Sequence, residues 1–217
     1  DLRVYRHEME RQIYAYANWL NRDIVTNKVT FQTYGIDAKA DWLVHPQHLV
    51  SFGVNVWEMT GNPDRWQAAP PNFTAFSANN PFQNAKITAV GAYVQDDMRF
   101  GKLNVLAGLR YDTVKSSADS MLNGARTTGL DGTDNAFSGS LGAIYEVSPL
   151  LRPYANYARA FRAPGMRERY ESGVRGDGYF YAGSPEVEAE KADQFELGIK
   201  GASSQFVYQV AGYHNRI

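Results

Sequence analysis

Cysteine is absent from the 217 residues, so neither a disulfide framework nor a thiolate metal site can be built from them. No run of about 18 apolar residues occurs, which excludes a membrane-spanning helix but leaves membrane-spanning strands open. A surplus of one charge is also missing. The 22 Lys and Arg against 23 Asp and Glu leave −1, so there is no basic surface for nucleic acid and no acidic tail. No G-x-S-x-G turn and no compact Ser/His/acid cluster is found, so no enzyme is expected. No basic–apolar–small leader precedes Asp1, and Ile217 falls in mid-strand. Both ends read as cut, which makes the chain a piece of a longer one.

What is present is alternation. From Ile87 to Tyr111 two long strands flank one tight turn at Gly101-Lys102. Leu103, Val105, Ala107, Leu109 and Tyr111 share one face, and Asn104, Gly108, Arg110 and Asp112 the other, as a period of two requires. Each limb has about the ten residues that a tilted strand needs to cross a bilayer. The unit recurs. Leu2 and Val4 oppose Arg3, Tyr5, His7 and Met9 in a strand over the first nine residues. Tyr34, Ile36, Ala38, Ala40 and Trp42 oppose Thr33, Gly35, Asp37, Lys39 and Asp41 in the next, spanning Phe31 to Trp42. Further strands are expected at Val50–Val56, Phe137–Tyr145, Arg152–Phe161, Gln194–Lys200 and from Phe206 onward, about nine in all.

The connections alternate between about two to four residues (His45-Pro46-Gln47-His48, Ser148-Pro149, Gly201-Ala202-Ser203) and roughly twenty to thirty. The long ones cover Glu10–Lys28, Gly61–Ala85, Ser116–Asn135 and Pro164–Lys191. A soluble sandwich or lipocalin-like barrel would also alternate, but its connections are mostly short hairpins. Short turns at one end and long loops at the other are the rule for outer-membrane barrels. The 14 Tyr, 11 Phe and 4 Trp, many near strand ends, suit interfacial girdles. The expected fold is therefore all-β: an antiparallel transmembrane β-barrel, here a piece of it, facing outer-membrane lipid. Its terminal strands would be unpaired, so the isolated piece is not expected to be a stable monomer.

Four segments carry a family resemblance. Tyr157-Ala158-Arg159-Ala160-Phe161-Arg162-Ala163-Pro164 resembles the strand-end motif of TonB-dependent outer-membrane receptors. Ser184-Pro185-Glu186-Val187-Glu188-Ala189-Glu190-Lys191 resembles the family's Asn-Pro-x-Leu-x-Pro-Glu box, departing from it at Ser184, Val187 and Ala189. Phe195-Glu196-Leu197-Gly198-Ile199-Lys200 and Gly108-Leu109-Arg110-Tyr111-Asp112 resemble strands of the same receptors. The resemblance implies a Gram-negative outer-membrane barrel of about 22 strands closed by an N-terminal plug. Residues 1–217 would be part of the barrel domain, without the plug or the remaining strands. It further implies uptake of a small metal-containing ligand, energised by the TonB complex through the plug region. A passive porin, which needs no TonB, is the alternative from another class.

Two sets of residues are candidates for the ligand. His7 and Met9, two apart on a strand, project to one side, and imidazole with a soft thioether suits copper. The His-x-Met pair, with Phe161–Tyr170, resembles the copper-receptor branch, where such a pair supplies barrel ligands. Met59 and Met166 are candidates to complete the set. The second set is the loop that follows Arg162, with Arg167, Arg169, Tyr170, Arg175, Tyr179 and Tyr181. Arginine forks and tyrosine rings could hold an anionic ferric siderophore. Equally, these arginines could pair with Glu168, Glu171 and Asp177 in a solvated loop. Haem is weaker, because residues 165 to 183 contain no histidine, although a tyrosine ligand remains open. No resident cofactor is expected; copper or a ferric chelate would be cargo. His45 and His48 read as a polar turn, and Asp37, Lys39, Asp41, Arg110 and Asp112 as a wet interior.

Overall fold

A strand can run for as long as a neighbour keeps pairing with it, whatever its side chains face. The computed structural model describes residues 1–16, 24–68, 74–174 and 179–217. Its strands are, in order, β1 Leu2–Tyr16, β2 Ile24–His45, β3 His48–Ala68, β4 Phe76–Ala78, β5 Phe82–Gln83, β6 Ala85–Phe100 and β7 Leu103–Ser117. There follow β8 Ser120–Met121, β9 Gly132–Tyr145, β10 Arg152–Arg162, a short helix α1 Met166–Tyr170, β11 Ser172–Val174, β12 Phe180–Ala182, β13 Glu190–Ala202 and β14 Val207–Arg216. One antiparallel sheet has the order β1-β2-β3-β6-β7-β9-β10-β13-β14, with β4 added to β3. β11 pairs with β12, and β5 with β8. The nine long strands on the main path agree with the alternation read from the sequence.

The short turns also fall where expected. Gly101, at φ +60°, supplies the left-handed residue of the β6–β7 turn, a conformation most side chains avoid. The strands are longer than their apolar stretches suggested. β1 continues past Met9 to Tyr16, β2 begins at Ile24 instead of Phe31, and β3 runs on to Ala68. The expectation of long polar loops at Glu10–Lys28 and from Gly61 is corrected accordingly. Apolar alternation ends where hydrocarbon ends, but the ladder goes on, with Arg11 opposite Val29 and Lys28 opposite Asp64. The 22 residues of β2 make a strand of roughly 70 Å, against about ten residues needed to cross the bilayer. The other long connections are not plain loops either, since they hold α1 and the β5/β8 and β11/β12 pairs.

The two faces of the sheet differ in kind. One presents Ile36, Trp42, Phe52, Val54, Val56, Val90, Val94, Leu109, Phe137, Leu141 and Leu197, all exposed, Leu109 at 65% and Phe137 at 72%. An unbroken apolar surface across neighbouring strands marks a face that meets something other than water. Toward the long-connection end the same face turns polar. Val4 gives way to Arg6 and Glu8 on β1, Val56 to Glu58 and Thr60 on β3, and Val90 to Thr88 and Lys86 on β6. Arg6 lies 5.8 Å from the centroid of the Tyr34 ring at this boundary.

The opposite face is polar and knitted. Arg110 donates to Asp112 Oδ2 at 2.7 Å and to Asn55 Oδ1 at 2.5 Å, and Lys39 pairs with Asp41 at 3.0 Å. Tyrosine rings lie across glycines of the neighbouring strand. A Cβ on Gly53 would stand 2.7 Å from Tyr93 Cε1, and one on Gly198 2.6 Å from Tyr154 Cε1. Substituting either glycine would displace the ring.

Leu109→Arg in the full-length protein is expected to lower its unfolding free energy in lipid vesicles by about 2–4 kcal/mol. Lys115→Arg should change it by less than about 0.5 kcal/mol. Urea titration followed by tryptophan fluorescence would read both. An unchanged midpoint for Leu109→Arg would mean that this face meets water.

Candidate functional site

Three long connections at one end of the sheet bury apolar side chains that the strands alone cannot cover. Phe82, Met121, Leu130, Met166 and Tyr170 close over Ile87, Ala89 and Val114, with Phe31, Trp57, Met59 and Phe161 at the margin. This cap lies on the polar face, because Ile87, Ala89 and Val114 share parity with Gly91 and Asp112. Phe82 and Tyr170 meet edge-on at 6.4 Å. Tyr170 is fully buried, and its hydroxyl donates to Leu130 O at 2.6 Å. Burial pushes its phenol pKa up.

Arginines fasten the connections to one another. Arg65, 1% exposed, donates through Nε to Asn79 O and through a terminal nitrogen to Ser172 O, both at 2.6 Å. Ser172 Oγ in turn donates to Pro81 O at 2.9 Å and accepts from Leu122 N at 3.0 Å. Arg169 is buried; it bonds Asp134 Oδ2 at 2.6 Å and Pro185 O at 2.5 Å. Arg162 holds two carboxylates at once, Glu168 at 2.7 and 2.8 Å and Glu190 at 2.9 and 3.0 Å. The two sequence boxes are thus clasped together, Arg162 from the first to Glu190 from the second. Charge-assisted forks of this kind are among the stronger polar contacts.

Of the loop candidates, Arg169 and Tyr170 are buried in the cap, while Arg162 and Arg167 stay exposed at its surface and are held in ion pairs. Arg167 pairs with Glu171 one helical turn on, so the pairing with Glu168 and Glu171 weighed above is present. Tyr179 is exposed beside β12, and Tyr181, within it, is half-buried. Arg175 and Asp177 lie outside the described residues. Arg65, Asp134 and Ser172 were not legible in the sequence as fasteners. Each acts through a main-chain carbonyl or a distant partner, and no local pattern signals that.

His7 and Met9 do share a face of β1, the polar one, which also carries the cap. His7 stands in register with Thr33 and, one strand further, Met59. Met9 stands in register with Phe31 and then Gly61. The Met166 sulfur comes down onto that second row: a Cβ on Gly61 would be 2.7 Å from Phe31 Cε1 and 2.9 Å from Met166 Sδ. Met166 is 2% exposed and Met9 45%, so only the latter is open to a ligand as it stands. Among the described residues no group of three His, Asp or Glu side chains forms a hard-ligand metal site. His45 and His48 sit at the opposite end, where His48 Nδ1 lies 2.8 Å from Asp96 Oδ2.

The Arg162 clasp sets a pH dependence. Hydrogen bonds from Arg162, then from Gly165 N–H, lower the Glu168 pKa from 4.5 to about 2. A depressed carboxyl stabilises the fold above its unfolded pKa and loses that effect as pH falls through the folded value. For this half-exposed pair the effect is at most about 1 kcal/mol after solvent screening. Peptic cleavage between Pro164 and Lys191 of the full-length protein, relative to cleavage of an unfolded substrate at the same pH, should rise as pH falls from 4.5 toward about 2. In Arg162→Gln it should already be high at the upper end and nearly flat. Flat cleavage in the wild type would remove the clasp from the account.

Comparison with known proteins agrees with this architecture. Residues 1–217 match the family model described as TonB dependent receptor-like, beta-barrel. A hemin receptor of Yersinia pestis is 30% identical over 127 residues, 57% of this chain and 16% of that protein. The copper transporter OprC superposes with a TM-score of 0.78 at 16% identity, over 98% of this chain and 34% of that one. The unliganded ferric citrate transporter FecA gives 0.74 at 16% identity, over 99% and 31%. The ferric yersiniabactin uptake receptor FyuA from Yersinia pestis gives 0.72 at 17% identity, over 99% and 32%. The chain thus spans about a third of the length of these solved receptors. It belongs to the TonB-dependent receptors of the Gram-negative outer membrane, as part of their β-barrel.

Proposed function

We propose that the receptor containing this wall imports copper, with TonB supplying the energy and no chemistry performed on the cargo. The observation that carries the reading is the placement of His7 and Met9 on the polar, cap-bearing face of β1, with Met59 on the register row of His7. Imidazole and thioether together prefer a soft, monovalent copper ion over iron. Two side chains do not complete a site. The remaining ligands would come from Met59 or from the receptor's plug, which this reading assigns to chain outside residues 1–217. Further strands would pair with the outer edges of β1 and β14 and close the barrel, in keeping with the one-third coverage of the solved receptors.

A ferric chelate is the second reading, favoured by Tyr179 and Tyr181 beside the cap. Three of the arginines that would have supported it are already paired with carboxylates of the chain, which is why copper stands first.

Metal retained by the purified full-length receptor, wild type against His7→Ala/Met9→Ala, tests the assignment. Losing a direct ligand should cost more than the roughly 10–100-fold that losing a ligand's supporting partner costs. Copper should therefore fall to background, with iron unchanged. Unchanged copper would end the copper reading and leave the transporter reading standing. Uptake that persists in cells without TonB would instead indicate a passive pore.

A further inference from the structure

The lipid-facing side of the sheet carries a recess unrelated to the His7–Met9 face. It forms where β3 and β6 part company. Their last register pair is Gly61 with Ala85, and Asn84, at φ +49°, turns the incoming chain away. Asn is one of the few residues that take this left-handed conformation readily. The gap measures about 430 Å³ and is lined by Thr30, Gln32, Thr60, Asn62, Asn84 and Lys86 over a floor of Gly61 and Ala85. Thr30 and Gln32 continue the row of Tyr34 and Ile36, and Thr60 and Asn62 that of Val54 and Val56. From Ile36 to Gln32 is roughly 13 Å of strand. The recess therefore sits just outside the apolar band, at the height of lipid headgroups on the long-connection side.

Its chemistry is neutral and two-handed. Five of the six lining side chains are hydroxyls or carboxamides, each able to donate and to accept. The sixth, Lys86, is already neutralised by Glu58 at 2.6 Å. Gln32 is oriented by donating to Glu8 at 3.1 Å, and Asn84 by donating to Asp119 at 2.7 Å. An anion would call for unpaired cations, and an acyl chain for apolar walls; the recess has neither. Mixed donors and acceptors at fixed spacing match a polyhydroxylated ring.

We propose that this recess holds an uncharged sugar residue of the glycolipid that makes up the outer leaflet of the outer membrane. The site is continuous with the hydrocarbon-facing band, so a lipid whose chains lie along Val56 and Val90 would present its saccharide headgroup there. The lipid would tie the extracellular half of β2, β3 and β6 to the leaflet without touching the transported metal.

Native mass spectrometry of the full-length receptor would test this with two probes, lipopolysaccharide and the same lipopolysaccharide after enzymatic removal of its phosphates. The wild type should retain both. Thr60→Leu/Asn62→Leu, and independently Gln32→Leu from the facing strand, should retain both roughly tenfold less, the worth of one or two hydrogen bonds. Lys86→Met should change little. Heat-modifiable migration of each variant in gels checks that the barrel has folded. Retention equal to wild type in both variants would overturn the proposal, as would retention that follows the phosphates alone. Copper retention should be unchanged in all of these variants, so this outcome is independent of the His7–Met9 assignment.

Discussion

A peptide amide in hydrocarbon has no water to bond, and leaving it unpaired costs several kcal/mol. Strands can meet that requirement only by bonding to one another across an uninterrupted ladder. The nine-strand sheet does so in antiparallel register, from Leu2 opposite Ala38 at one side to Val207 opposite Ala202 at the other, with a shift only between Leu43 and His45 beside the β2–β3 turn. The alternation of side chains follows from it. Slipping β7 by one residue would put Arg110 where Leu109 now faces lipid, so register and solvent are specified together.

Outside the membrane the requirement changes. Water can satisfy an exposed amide, and chain that leaves the ladder is free to fold on itself. The connections between β3 and β6, β7 and β9, and β10 and β13 use that freedom to build one shared cap. Burying them brings carbonyls of Asn79, Pro81, Leu130, Ser172 and Pro185 under cover, and each has found a donor. Arginine suits this role because its five N–H groups point in fixed directions and can serve several acceptors. Arg65 and Arg169 are structural for that reason, and Arg162 extends the same logic to a pair of carboxylates.

Parity divides the sheet into two working surfaces. Odd positions of β1 reach the capped polar face with His7 and Met9, while even positions of β2 and β3 reach lipid with Gln32 and Thr60. A single residue of offset in a strand therefore separates side chains of the capped polar face from side chains of the lipid-facing one. The two surfaces stand on opposite sides of one hydrogen-bonded sheet.

The all-β class, the lipid-facing residues such as Leu109 and Phe137, the turn at Gly101-Lys102 and the shared side of His7 and Met9 were all legible in the sequence. Each depends on neighbours one or two positions away, and a period of two carries that information locally. Strand ends were not legible. Arg11, Lys28 and Asp64 look like loop by composition, and only pairing with a distant strand makes them sheet. The arginines of the Arg162–Arg169 segment were legible as a cluster, and the pairing of Arg162 with Glu168 and of Arg167 with Glu171 as one of two readings, but the burial of Arg169 was not. Whether Arg169 points at a ligand or at Asp134 and Pro185 depends on where β9 and the second box arrive in space. The sequence by itself determined which face of each strand meets hydrocarbon, because that choice is made residue by residue. The tertiary structure alone decided which polar groups remain open to a ligand, because a hydrogen bond between residues 107 positions apart, such as that of Arg65 with Ser172, leaves no trace in local order.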